Sequence, residues 1–273
     1  MTIHSVAAVY FSATNTTKTV AERIAKHVAE KLGVPHRTVD FTLPAARQQA
    51  YRFASDELVI FGVPVYAGRI PNLILPFVQN GFTGDSTPAV PIVLYGNRNY
   101  DDALIELRNE LENNHFRTIS AGAFIGEHSF SRILGAHRPD TEDLKLVDRL
   151  ADKIAERIQN EELPTQPIPV RGCEPIRPYY TPRDRAGNPV NILKVKPKTS
   201  DACIKCGLCI RLCPMGSIAP EDPSHVPGKC IKCCACVKAC PVGAKYYDDE
   251  KYLYHQHELE EGFTRRAEPE LFY

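Results

Sequence analysis

Nine of the ten cysteines fall in two short stretches, CIKCGLCIRLCP from Cys203 and CIKCCACVKACP from Cys230. Both carry the spacing CxxCxxCxxxCP. Each cysteine of the first has a counterpart 27 positions on, pairing 203 with 230, 206 with 233, 209 with 236 and 213 with 240, as a duplicated unit would. Thiolates at i, i+3 and i+6 can converge on one face of a cuboidal cluster when the backbone turns tightly around it, and a fourth ligand must then come from elsewhere. The prolines after the fourth cysteines, Pro214 and Pro241, suit a chain that leaves such a site without helical backbone pairing.

Paired CxxC sequences also bind zinc, or form disulfides in secreted chains. Zinc needs one set of four ligands rather than two interleaved runs, so the spacing favours iron and sulfide. Over residues 200–247 the pattern resembles the two-4Fe-4S ferredoxin family. The resemblance implies that the last cysteine of each run serves the other run's cluster. Cys203, Cys206, Cys209 and Cys240 would then hold one 4Fe-4S cluster, and Cys230, Cys233, Cys236 and Cys213 the second. Cys234 stands where the first copy has Gly207, and the 27-residue register selects Cys233 over it as ligand. Cys234 and Cys173 are left as spare thiols, expected to be buried like small apolar residues.

Upstream, an alternation of strands and helices must position any partner chemistry. Residues 6–11 form a short β-branched run, and 18–31 repeat Val20, Ile24, Val28 and Leu32 at helical spacing. Further strands are expected at 36–41, 57–62, 90–96 and 118–125. Helices are expected at 70–79, where prolines sit at 71 and 76, at 100–113 and at 143–161, the last with Leu146, Leu150, Ile154 and Ile158 on one stripe. This rhythm predicts an α/β fold, a doubly wound five-stranded parallel sheet whose ligands bind at the carboxyl ends of the strands.

The loop after the first strand, Ser12-Ala13-Thr14-Asn15-Thr16-Thr17, concentrates hydroxyls and N–H groups at a helix N-terminus, a setting that favours phosphate. An ordinary hydroxyl N-cap with no ligand is the plainer reading. Neither GxxxxGK nor GxGxxG is present, which argues against a triphosphate loop and a dinucleotide cradle. With Asn15 in place of the usual glycine, the loop resembles the phosphate loop of flavodoxins, which holds FMN. That resemblance makes the domain flavodoxin-like and implies phosphate contacts from Ser12, Thr14, Asn15, Thr16 and Thr17. It implies flavin-ring contacts from Pro64, Val65, Tyr66, Ala67 and Gly68 after the third strand, and from Gly96, Asn97, Arg98 and Tyr100 after the fourth. With no tryptophan in the chain, Tyr66 or Tyr100 would do any stacking. Glu127, His128 and Ser129 follow the fifth strand, where a structural histidine is the simplest reading. His255 and His257 lie in a charged tail and are expected to be solvated.

The expected domains are 1–162, flavodoxin-like; 163–199, a Pro-rich connection that wraps across the first domain on Ile168, Val170, Ile176, Tyr179 and Tyr180; 200–248, a small α+β ferredoxin-like two-cluster domain; and 249–273, a charged tail that either docks or stays flexible. Lys plus Arg equals Asp plus Glu at 33 each in 273 residues, which gives no case for nucleic acid or an anionic membrane. The strongest apolar run, 58–67, is interrupted by Gly62 and Pro64, and the first residues lack a signal peptide's basic region. A cytoplasmic protein follows, in keeping with thiolates that need a reducing compartment.

The whole arrangement resembles flavodoxin-ferredoxin fusion proteins among the 4Fe-4S binding proteins. It implies electron transfer between FMN, two 4Fe-4S clusters and a redox partner protein or small-molecule donor or acceptor, with oligomeric state open, a homodimer included. Two other readings stand beside it. One is a flavin-dependent reductase of a small substrate, with Arg69, Arg98, Glu127 and His128 at one rim and no assignable catalytic residue. The other is a non-catalytic redox-sensing or binding module.

Overall fold

The computed structural model describes residues 2–273. Five parallel strands form the main sheet: β1 (Ser5–Tyr10), β2 (His36–Asp40), β3 (Glu57–Pro64), β4 (Thr87–Tyr95) and β5 (Ala121–Ile125). Their order is 2-1-3-4-5, that of flavodoxin-like doubly wound sheets. Central strands of such a sheet are covered on both faces and read as continuous apolar runs; β4 is buried at every position. Side chains alternate across the sheet, so Ala7, Val9 and Phe11 enter one core while Val6, Ala8 and Tyr10 enter the other.

Helices α1 (Thr16–Leu32) and α3 (Thr141–Gln159) cover the second core, and α2 (Ala103–Asn113) covers the first through Leu104, Leu107 and Leu111. On α3 the deepest contact of the first turns is Val147; Leu146 is only half-buried. The expected helix at 70–79 contracts to Leu75–Asn80, with Pro76 in its first turn, where a missing N–H costs no intrahelical bond. The expected strand at 118–125 is divided into Phe116–Thr118, which pairs with the start of β4, and β5.

The segment after α3 crosses the first domain. Ile168 is buried in its core, Tyr179 Oη donates to the Ile70 carbonyl at 2.8 Å, and the Tyr180 N–H donates to the Ala67 carbonyl at 2.9 Å. Buried Asp102 accepts the N–H groups of Cys173 and Arg177 at 3.0 and 2.9 Å and the Arg177 guanidinium, which holds its carboxyl down at about 2. The cysteine-rich module has two short helices, Leu208–Arg211 and Ala235–Lys238, and a two-stranded ribbon. Its halves repeat one backbone shape: Gly207 and Cys234 both sit at positive φ, 71° and 57°, as do Lys205 and Lys232. The side-chain-free position of the first copy is thus held by a cysteine in the second.

The tail docks. Helix α4 (Glu250–Gly262) leads to strand β6 (Glu270–Phe272), which joins the sheet edge antiparallel to β5. His255, expected in solvent, is buried, because α4 turns Tyr252, His255 and Leu259 inward at helical spacing; His257 is exposed. Arg138 fastens this edge by pairing with buried Asp143 and donating to the Ala267 carbonyl at 3.0 Å. Arg138→Met removes the main partner of a buried carboxylate and should cost about 3 kcal/mol in denaturant unfolding, with faster amide exchange in Glu270–Phe272 than elsewhere in the sheet. Unchanged exchange at that strand would contradict its anchoring by Arg138.

Candidate functional site

Loops at the carboxyl ends of β1, β3, β4 and β5 surround one cavity of about 1200 Å³. Doubly wound sheets bind ligands there because the strand order reverses and leaves a crevice. The floor carries Ser12, Thr14, Thr16 and Thr17 at the start of α1. Ser12 does not cap the helix in the ordinary way; its Oγ accepts the Lys18 N–H at 3.0 Å, and its own N–H donates to Thr42 Oγ1 at 2.8 Å. Asn15 takes positive φ, 67°, and opens the helix without a side-chain cap, so the remaining first-turn N–H groups stay available to an anion.

Pro64, Val65, Tyr66 and Ala67 line one wall, and Gly96 and Arg98 the other. Four of the expected contacts lie outside it. Tyr100 is fully buried beneath α2, donating to Glu270 at 2.7 Å with Arg171 over its ring, so it is committed to the tail and not to a ligand. Asn97 is likewise spent on the tail, donating to the Phe263 and Arg265 carbonyls at 2.7 Å and accepting the Ala267 N–H at 3.1 Å. Asn15 is exposed at the helix start. Gly68 makes a tight turn at φ 77°, where a Cβ would collide with Asp101. Arg69 is drawn away as well, into a pair with buried Glu106 under the Tyr179 ring.

Glu127, His128 and Ser129 line the cavity. The His128 ring lies against Gly96, where any Cβ would overlap it, and its Nδ1 accepts the Phe130 N–H at 3.1 Å. Burial, helped by the Lys238 charge, pulls its pKa down to about 3. His128 is therefore neutral at physiological pH, a packing and hydrogen-bonding group rather than an acid.

The cysteine-rich module closes the cavity from above. Lys238 Nζ donates to Glu127 Oε1 at 2.5 Å, the His128 carbonyl at 2.7 Å and the Ser131 carbonyl at 2.9 Å. At the opposite side Arg47 donates to the Pro214 carbonyl and to Thr42 O. Met215 and Ile231 pack against the first-domain core. Residues 179–182, 189–194 and 196 and His255 and Leu259 of α4 complete the roof. Tyr179 and Tyr180 fall on the segment expected to wrap across the first domain; residues 189–196 carry no such signal, and the helical spacing of Tyr252, His255 and Leu259 is the one mark of the α4 contribution.

Two smaller cavities lie inside the module. Cys203, Cys206, Cys209 and Cys240 line one; Cys213, Cys230, Cys233, Cys234 and Cys236 line the other. All ten cysteines are free thiols. The walls are otherwise almost wholly apolar. N–H groups reach the sulfurs of Cys213, Cys230 and Cys240 at 3.3, 3.4 and 3.2 Å, from Ser217, Lys232 and Ala244. Several thiols, dry walls and N–H···S bonds are the donor set an iron-sulfur cluster requires, so the residues present fit one in each cavity. Cys234 Sγ lies 3.3 Å from Tyr252 Oη and 3.6 Å from the Lys232 carbonyl, giving it partners of its own. Cys173, expected to be buried, is exposed, because the connecting segment spends the residue's N–H rather than its side chain on the first domain.

Cys230 and Ile231 line both the large cavity and the second cysteine cavity. Tyr66 lines the large cavity, hydrogen-bonded to Ser129, and burial, with the nearby Cys233 adding to it, pushes its phenol pKa up.

Residues 196–241 match the family of the 4Fe-4S dicluster domain. No curated protein matches the chain in sequence. Among solved structures it is similar to a flavodoxin from the domain Archaea, at 16% identity over 57% of this chain and 99% of that one, with a TM-score of 0.41. A flavodoxin of Streptococcus pneumoniae gives 16% identity, 56% and 99% coverage and a TM-score of 0.40. The rubredoxin:oxygen oxidoreductase of Desulfovibrio gigas gives 14%, 59% and 37%, and 0.40. No helix among the described residues is long and apolar enough to cross a membrane.

Because native His128 resists protonation while the unfolded chain takes a proton below about 6.5, stability should fall as pH drops from 6.5 toward 3. His128→Gln should flatten that slope between pH 6 and 4.5, by up to about 1.4 kcal/mol per pH unit, in urea unfolding. Parallel wild-type and variant curves would show that the ring is accessible to protons in the native state.

Proposed function

We propose that this chain, a doubly wound α/β domain joined to a 4Fe-4S dicluster domain, is an electron-transfer flavo-iron-sulfur protein. On this reading it holds FMN in the large cavity and two 4Fe-4S clusters in the cysteine cavities, and exchanges electrons with a redox partner protein or a small molecule. The observation that carries it is the shared partition: Cys230 and Ile231 face both the large cavity and the second cysteine set, so the two sites are a side chain apart.

When bound, FMN exchanges one or two electrons and each cluster one. The chain's own groups do the rest. Ser12, Thr14, Thr16 and Thr17 offer hydroxyl and N–H donors to a phosphate. The walls from Pro64 to Ala67 and at Gly96 and Arg98 enclose a planar ring, with Tyr66 on the cysteine side. Cys203, Cys206, Cys209 and Cys240 serve one cluster; Cys213, Cys230, Cys233 and Cys236 serve the other. Cys234 stays a thiol facing Tyr252. The roof covers the space between the two sites. A reducing cytoplasm suits so many free thiols.

The roofed cavity favours a second reading, a reductase that delivers these electrons to a small substrate. It differs only in where electrons leave.

Anaerobically purified protein should carry about eight irons and one FMN per chain, seen as flavin bands at ~450 nm over broad cluster absorption. Cys233→Ala should lose about four irons, while Cys234→Ala keeps all of them. Clusters without flavin would remove the flavin half of the reading, and iron loss in the Cys234 variant would reverse the ligand choice.

A further inference from the structure

We propose that the large cavity takes a second ligand beside the flavin: a small carboxylate with an apolar body, seated under the roof. This rests on the flavin reading above and names the substrate class of the same site.

Size is the first observation. At about 1200 Å³ the cavity exceeds the ~300–1,000 Å³ of ordinary small-molecule sites, and much of its lining belongs to elements beyond the expected flavin loops. Charge is the second. The lining holds five cationic side chains, Arg98, Lys194, Lys196, Lys229 and Lys232, and a single carboxylate, Glu127, which Lys238 already neutralises. Arg98 is paired with Asp101, and the ammonium of buried Lys232 is taken up by the Leu193 and Cys230 carbonyls at 3.1 and 3.0 Å. That leaves Lys194, Lys196 and Lys229. Lys196 Nζ bonds only carbonyls, those of Val226 at 2.6 Å and Pro227 at 3.2 Å, which hold the ammonium in place without cancelling its charge.

These three lysines come from the connecting segment and the module, not from the hydroxyl loop that suits the flavin phosphate. Phe130, Tyr180, Val190, Ile192 and Leu259 line the same cavity and supply its apolar surface. Apolar surface under a cationic rim matches a molecule with an apolar body and one carboxylate, whose charge the lysines draw in and orient.

The test uses protein loaded with flavin and clusters. Acetate, succinate and benzoate are titrated while the flavin absorption is followed, with benzamide and sodium chloride at matched ionic strength as controls. Benzoate should shift the flavin bands saturably, benzamide and chloride should not, and Lys194→Glu with Lys229→Glu, both exposed positions, should weaken the response about tenfold or more. No response to any of the three acids in loaded protein overturns the proposal. So does a double variant that loses affinity for FMN but not for riboflavin, since the lysines would then serve the flavin's own phosphate. A preparation that takes up clusters but no flavin removes the premise as well, and flavin content, measured before any acid is added, tells that failure from the others.

Discussion

The arrangement of the molecule depends on one ammonium group. Lys238 leaves the second cysteine run and enters the first domain, where a carboxylate and two carbonyls take its three protons. A charge so enclosed is tolerated only when every donor is satisfied and a counter-ion is in reach; here Glu127 supplies the charge and the β5 loop supplies the geometry. Because Lys238 lies between Cys236 and Cys240, fixing its ammonium fixes the second cysteine set against the carboxyl edge of the sheet. Arg47, reaching Pro214 from the far side of that edge, prevents the module from pivoting.

Two constraints of the parallel sheet follow from this. Strands β1, β3, β4 and β5 are buried on both faces, so the crevice of this sheet lies beyond their carboxyl ends, and anything added to the chain must either leave that surface open or roof it. Here every added piece roofs it. The connecting segment is tied down through Asp102, the cysteine-rich module through Lys238, and α4 through Tyr252, whose ring packs on Phe130 and Tyr247. The same commitments explain why two residues of the ring loops are unavailable: Asn97 and Tyr100 hold the tail.

Periodicity made the sheet and its three long helices legible in the sequence, since burial on both faces forces continuous apolar strands and each helix must show one apolar stripe. The grouping of Cys240 with the first run and Cys213 with the second in the two small cavities is the one the ferredoxin resemblance implies, while the 27-residue register sets Cys234 apart. What stayed hidden were contacts between segments distant in the chain. Nothing near Lys238 marks it as different from Arg211, its counterpart 27 residues earlier, until the β5 loop is brought against it. His255 looked solvated because charged neighbours dominate its stretch, and only the helix turns it inward. Tyr100 was misread for the same reason: its partner, Glu270, is 170 residues away.

The roof also bears on how electrons would reach the outside. A redox protein approaching the large cavity meets the connecting segment and α4 before any ring, so direct contact is blocked from that side. The first cysteine set is differently placed. Cys206 is exposed, and Ile204 and Val242, 62% and 42% exposed, wall the same cavity. Tunnelling falls off steeply with distance, so a protein partner would find its shortest path at this end, with the second cysteine set as the intermediate station. A small molecule admitted under the roof would instead meet the flavin directly. On the proposed electron-transfer reading, the fold would offer a protein partner the exposed end of the first cysteine set and a small molecule the large cavity, with Cys230 and Ile231 between the two.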